Sequence, residues 1–225
     1  MASGWVARPE CWDSFSKKWK LALDADPKIS YFKLNDALGL KGPFAGWTEK
    51  DRDAKLIALM ELLPHDGTVF GTGCYLHRDD FEKAKQYIRR KIYREPYYFC
   101  IATAMIFSAA GENQIIGVDK IDFILDHSNA AERMRRLFYE HIKPTFAKLG
   151  ECITLDDKET LPLQAADLSA GAIRQLYESS PRRIPGISTL NGLFAGVFEL
   201  HAKGIKDAIA SPVFSGTGSK PDPSC

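Results

Sequence analysis

An α/β layered domain follows from two features of this 225-residue chain. Short β-branched or aromatic runs alternate with helical repeats along its length, and the run from Pro96 to Ala110 is apolar on all sides, as a helix enclosed within a layered domain is. With 45% hydrophobic and 26% charged residues, the composition is that of an ordinary globular protein. A chain of this size buries about 70–75% of its unfolded surface, enough for one large domain without disulfide or metal staples. The expected organisation is one domain over residues 1–210 and a Ser-, Gly-, Thr- and Pro-rich disordered tail over 211–225.

Each element has its own signal. Ala2 to Ala7 is small and apolar and reads as a strand, which at a chain terminus needs a neighbour; its open edge would recruit a second copy or another protein. Pro9 stands where a helix begins, and Trp12, Phe15, Trp19, Ala22 and Leu23 recur at helical spacing through Ala25. Ile29 to Leu34 has strand composition, and the Gly- and Pro-punctuated stretch Gly39 to Gly46 reads as a loop. Thr48 with Asp51 three residues on is a capping pair for a helix with Leu56, Ile57, Met60 and Leu63 on one face. Val69 to Leu76 reads as a strand and Asp79 to Arg90 as an exposed helix. Ile121 to Leu125 is a strand ending in Asp126, and Asn129 to about Lys143 is an amphipathic helix stopped or kinked by Pro144. Cys152 to Leu155 is a further strand, running into Asp156, Asp157, Lys158 and Glu159. Pro162 opens a helix to about Ser179, Pro181 to Gly196 is loop-like, and a short helix follows near Glu199 to Ala210.

Composition narrows the function classes. Thirty Lys and Arg against 29 Asp and Glu give a formal charge of +1 and a pI near 7.6, so no bulk field drives the molecule onto nucleic acid or an anionic membrane. Any nucleic-acid contact must come from a local patch. The five cysteines are scattered and lack the short paired spacing of zinc sites or disulfide scaffolds, which points to a reducing, cytoplasmic setting. The most apolar stretch is shorter than the roughly 20 residues a membrane span requires, and the first residues lack the charged and apolar regions of a secretory signal. Gly71-Thr72-Gly73 is too short for a phosphate-binding loop, and there is no nucleophile elbow.

Two carboxylates stand out by position. Asp126 ends a strand, where open α/β sheets hold ligands, although an Asp there also caps the following helix or turns the chain with Ser128 and Asn129. His127 beside it reads as a solvated histidine. Asp167 lies inside a helix, with Leu163, Gln164, Ala170 and Gly171 three and four residues away, so space is left beside the carboxylate; pairing with Arg174 is the structural alternative. Mg²⁺ prefers hard oxygen ligands, and two such ions about 3.5–4 Å apart activate a water and stabilise a leaving oxygen in phosphodiester cleavage. Such a site needs further carboxylates, for which Glu49, Asp51, Asp53, Asp156 and Asp157 qualify by type.

In order along the chain, Gly4-Trp5-Val6-Ala7 leading to Trp12 through Trp19, Tyr31-Phe32-Lys33, Phe44-Ala45-Gly46-Trp47, Phe123-Ile124-Leu125-Asp126 and Pro162-Leu163-Gln164-Ala165-Ala166-Asp167 resemble the bacterial and phage family catalogued as domain of unknown function three-thousand-eight-hundred. The resemblance covers Gly4 to about Tyr177, and its most specific part is the Leu-Gln-x-Ala-Asp helix. It implies a ribonuclease-H-like mixed central sheet flanked by helices and a metal-dependent nuclease site, with Asp126 and Asp167 as Mg²⁺ or Mn²⁺ ligands and Gln164 orienting substrate or water. The family opens with a strand carrying Asp-Glu-Ser or Asp-Asp-Ser, whereas Met1 to Val6 aligns with the strand after it. The expectation is either a reading frame that begins further upstream or a chain that lacks this strand and is inactive. Substrate binding would fall on Lys33, Arg174, Arg182 and Arg183, and on the cluster Arg89, Arg90, Lys91 and Arg94, for which a solvated face is the alternative that a charge run offers. Two functions follow: a metal-dependent phosphodiester hydrolase acting on nucleic acid, or a catalytically degenerate binding module from a phage or mobile element.

Overall fold

The computed structural model describes residues 2–63, 69–110, 120–178, 184–185, 196–200 and 202–215. The fold is mixed α/β. In chain order its strands and α-helices are β1 (Ala2–Ala7), α1 (Pro9–Asp24), α2 (Leu34–Gly39), α3 (Glu49–Glu61), β2 (Val69–Leu76), α4 (Arg78–Ala84), α5 (Pro96–Ala110), β3 (Ile121–Asp126), α6 (Asn129–Leu137), β4 (Leu149–Leu155), α7 (Leu161–Tyr177), β5 (Gly196–Leu200), α8 (Ala202–Ile209) and α9 (Pro212–Ser215). Three strands pair in the order β1-β2-β5, and β3 pairs with β4. The first strand therefore has a partner, supplied from later in the chain by β2. The chain divides into two compact units, Ser3–Gly73 with Leu155–Val197, and Met1–Ala2 with Cys74–Thr154 and Phe198–Cys225.

The unit containing α1 is built on aromatic packing. Phe15, Trp19 and Leu23 lie four residues apart on α1, so one face of the helix carries all three inward. Successive ring centroids from Trp12 through Phe15, Trp19, Phe32 and Phe44 to Trp47 are 5.0–6.3 Å apart, within the range in which edge-on aromatic pairs attract. Thr48 caps α3 as expected, its hydroxyl accepting the Asp51 N–H at 3.2 Å. The expected strand over Ile29 to Leu34 is absent. Its composition does keep the chain extended, with φ −142° and ψ 123° at Lys33, but α2 begins at Leu34 and the backbone donors meet side chains of α7 instead of another strand.

The other unit packs around α5, whose Phe99, Cys100, Ala102 and Met105 are all buried, in keeping with its apolar circumference. Three expectations change here. The helix expected over Asp79 to Arg90 stops at Ala84, because Ile88 and Tyr93 are both drawn into the core; the chain continues through 3₁₀ turns at Lys85–Tyr87 and Lys91–Arg94. The helix after Ser128 runs only to Leu137, then widens into a π turn over Phe138–Ile142 that buries both end residues, and Pro144 sits in the 3₁₀ turn that follows. The folded chain also extends beyond residue 210. Val213 and Phe214 of α9 are buried, with the Phe214 ring 4.8 Å from Phe99 and 5.0 Å from Tyr93. Among the described residues, no helix is long and apolar enough to cross a membrane.

Candidate functional site

The polar face of α7 carries the most distinctive residues of the sequence, and its geometry is set by the spacing of a helix against an extended chain. Gln164 and Asp167 are three residues apart and so share a face. Phe32 and Leu34 flank the extended Lys33, so their N–H groups point the same way, as alternate residues of a strand do. Gln164 Oε1 accepts from Phe32 N at 3.1 Å, and Asp167 Oδ2 accepts from Leu34 N at 2.7 Å. Helix side chains thus take the place of a neighbouring strand for this segment.

Gln164 is fully buried and its amide is saturated. Beside Phe32 N, Oε1 accepts from the Trp19 indole at 3.1 Å, while Nε2 donates to the carbonyls of Asp157 at 2.9 Å and Lys158 at 3.3 Å. Two acceptor positions and two donors are all that a primary amide offers. The same helix is bound at its other residues: the Trp5 indole donates to Ser169 Oγ at 2.8 Å, and Ser169 donates to Ala165 O at 2.7 Å. Gly171 makes room for Leu34, since a Cβ there would stand 1.8 Å from Leu34 Cδ2 and displace that side chain. The small residues of α7 therefore admit Leu34 and the helices α1 and α2.

Lys33 lies between the two captured amides and its Nζ meets Asp157 Oδ2 at 2.8 Å; the lysine side chain is 39% exposed and the aspartate 8%. Tyr31 extends the polar rim, its hydroxyl donating to Asp36 Oδ2 at 3.2 Å and its ring lying 5.1 Å from Lys158 Nζ. Burial and the neighbouring Asp36 carboxylate raise the Tyr31 phenol above its ordinary value. Arg174, the structural alternative as a partner for Asp167, instead faces Glu178, with Nε 3.9 Å from Oε2. Arg182 and Arg183 lie outside the described residues.

Asp126 belongs to the other unit, where it ends β3 as expected and is exposed. The cap of the next helix is Ser128, whose Oγ accepts from Ala131 N at 3.1 Å, so that structural role is not Asp126's. Around this strand end, the Thr154 hydroxyl bonds Glu132, which also takes Arg135 at 3.0 Å, and the two hold the Glu132 carboxyl below its ordinary value. His127 stands 3.9 Å from Glu132 and 3.5 Å from Thr154 Oγ1. This grouping of Thr154 and Glu132, on different elements, had no short-range signal.

Three of the remaining acidic candidates have local partners. Asp156 Oδ1 accepts from Lys158 N at 2.9 Å, Asp51 accepts from the Thr48 hydroxyl at 2.6 Å, and Asp53 pairs with Arg52 at 2.7 Å, while Glu49 lies in the first turn of α3. Among the described residues, no group of three His, Cys, Asp or Glu is placed to hold a metal ion. With its amide committed within the fold, Gln164 has no donor or acceptor left with which to orient a substrate or water. Compared with family models, curated proteins and solved structures, the chain matches none.

Proposed function

We propose that this chain is a ribonuclease-H-like α/β protein acting as a binding module, in which the Leu-Gln-x-Ala-Asp helix is an internal brace. The observation that carries this reading is the saturated hydrogen bonding of buried Gln164, supported by the capture of Leu34 N by Asp167. A side chain with all its donors and acceptors committed to its own fold must break two or more buried bonds before it can orient a water or a substrate, and each group left unsatisfied costs about 1–3 kcal/mol. The brace fixes Lys33 and Tyr31 at the rim, the part of this cluster that faces solvent.

The second reading is metal-dependent phosphodiester hydrolysis with Mg²⁺ or Mn²⁺, and one observation favours it: Asp126 ends β3 in an exposed position, as the resemblance requires. Incubating the purified chain with Mn²⁺ and labelled single- and double-stranded DNA and RNA separates the two. The binding-module reading expects intact substrate and a lowered melting temperature for Asp167→Ala. Metal-dependent cleavage that disappears in both Asp126→Asn and Asp167→Asn, with melting temperatures unchanged, would establish the hydrolase instead.

A further inference from the structure

From Lys83 to Arg94, six of twelve residues are Lys or Arg and none is acidic, while the remaining 24 Lys and Arg of the chain are outnumbered by 29 Asp and Glu. The positive charge of a nearly neutral protein is therefore concentrated on one turn. Its conformation is held from within: Arg94 Nε donates to Ile88 O at 2.9 Å, Tyr93 N to Arg90 O at 3.0 Å, and Ile88 and Tyr93 anchor the turn in the core. Lys85 is taken by Glu82 at 2.5 Å, and Glu95 borders the far end. Lys83, Arg89 and Lys91 are exposed and meet no partner among the described residues. Tyr87, which lies between Lys83 and Arg89 in the sequence, is 63% exposed and likewise makes no contact of its ring or hydroxyl among those residues.

We infer that this turn binds single-stranded nucleic acid, with Lys83, Arg89 and Lys91 on the phosphates and the Tyr87 ring stacked on a base. The inference names a partner for the binding module proposed above and rests on that reading. Cations without protein partners attract a polyanion by releasing its counterions. An exposed aromatic ring among them is the platform on which unpaired bases stack, and bases within a duplex cannot reach it. An anionic membrane would call for an amphipathic helix with an outward apolar stripe. Here Lys83 stands at the end of the seven-residue α4, the rest of the segment passes through two 3₁₀ turns, and its aliphatic Ile88 points into the core.

Fluorescence anisotropy of labelled dT20 against the full chain tests this, with no divalent cation, between 50 and 200 mM salt. The affinity is expected to fall with salt at a log–log slope near −2, as about three phosphate contacts to a single strand give. Arg89→Ala with Lys91→Ala should reduce the slope by about 1.4, Tyr87→Ala should weaken binding by about five-fold or more, and Tyr87→Phe should restore it. No binding of dT20 at 50 mM salt would overturn the inference, as would unchanged affinity in the variants at wild-type melting temperatures. Stronger competition by a 20-base-pair duplex, or by phosphatidylserine vesicles, would overturn it in favour of a different partner. Adding Mn²⁺ tells the two failures apart: strand scission that persists in the turn variants counts against the binding-module reading, while loss of dT20 affinity in the same variants still assigns the turn.

Discussion

Two polar regions of this protein differ in what their side chains are bonded to. On α7, Gln164 uses both ends of its amide on backbone and indole partners from three segments, and Asp167 accepts a backbone N–H from a residue more than a hundred positions away. On the turn from Lys83 to Arg94, the side chains of Lys83, Arg89 and Lys91 and the Tyr87 ring have no protein partner among the described residues. Residue type makes the first region look chemical and the second ordinary. The state of hydrogen-bond saturation reverses that order: a group already satisfied inside the fold stabilises it, while a charged group left in water is the one able to meet a ligand.

If α7 is the brace, its substitutions should dominate stability. Gln164→Ala leaves the Trp19 indole, Phe32 N and the carbonyls of Asp157 and Lys158 without their partner and opens a cavity, so urea unfolding should show a loss of about 3–5 kcal/mol. Gly171→Ala forces Leu34 to move and should cost about 1–3 kcal/mol in the same measurement. Asp167→Ala should cost about 1–2 kcal/mol, whereas Asp167→Asn keeps a carbonyl oxygen for Leu34 N and should lose less. Tyr87→Ala and the Arg89→Ala, Lys91→Ala pair touch nothing buried and should stay within about 0.5 kcal/mol of the parent chain. A large loss in the turn variants, or none in Gln164→Ala, would invert the comparison.

A smaller effect concerns pH. Burial, with Arg90 close by, holds the imidazole of His141 below its ordinary 6.5, against a weaker opposing effect of Glu140; Tyr93 OH lies 3.3 Å from its Nδ1. The unfolded chain therefore binds this proton at a higher pH than the folded one does. Stability on this account is flat above about 6.5 and declines as pH falls from there toward the folded value. Thermal melts between pH 7.5 and 5 should show that decline, and His141→Phe should flatten it; an unchanged slope in the variant would remove His141 from the explanation.

The fold was legible where its signals are local. Pro9, the Phe15-Trp19-Leu23 spacing, the Thr48 cap and the apolar circumference of α5 each depend on neighbours within a turn or two, and each produced the expected element. The reading failed where a distant partner decided the outcome. The Ile29 to Leu34 segment has strand composition, but what pairs with it is a helix; the run after Ala84 has helix-forming residues, but two of its side chains belong to the core. The same limit applies to the candidate site. Sequence spacing places Gln164 and Asp167 on one helical face, yet nothing within α7 reveals that Phe32 N, Leu34 N and the Trp19 indole stand opposite it. The exposure of Tyr87 likewise depends on Ala84 and Ile88 turning inward on either side.

Amide hydrogen exchange at Phe32 and Leu34 tests the brace most directly. In the parent chain both amides should be protected although neither lies in a strand; Gln164→Leu should release Phe32, and Asp167→Ala should release Leu34, ahead of the helical amides of α1. Rapid exchange of both in the parent, or protection unaffected by either substitution, would contradict the brace and return Gln164 and Asp167 to the search for a catalytic role.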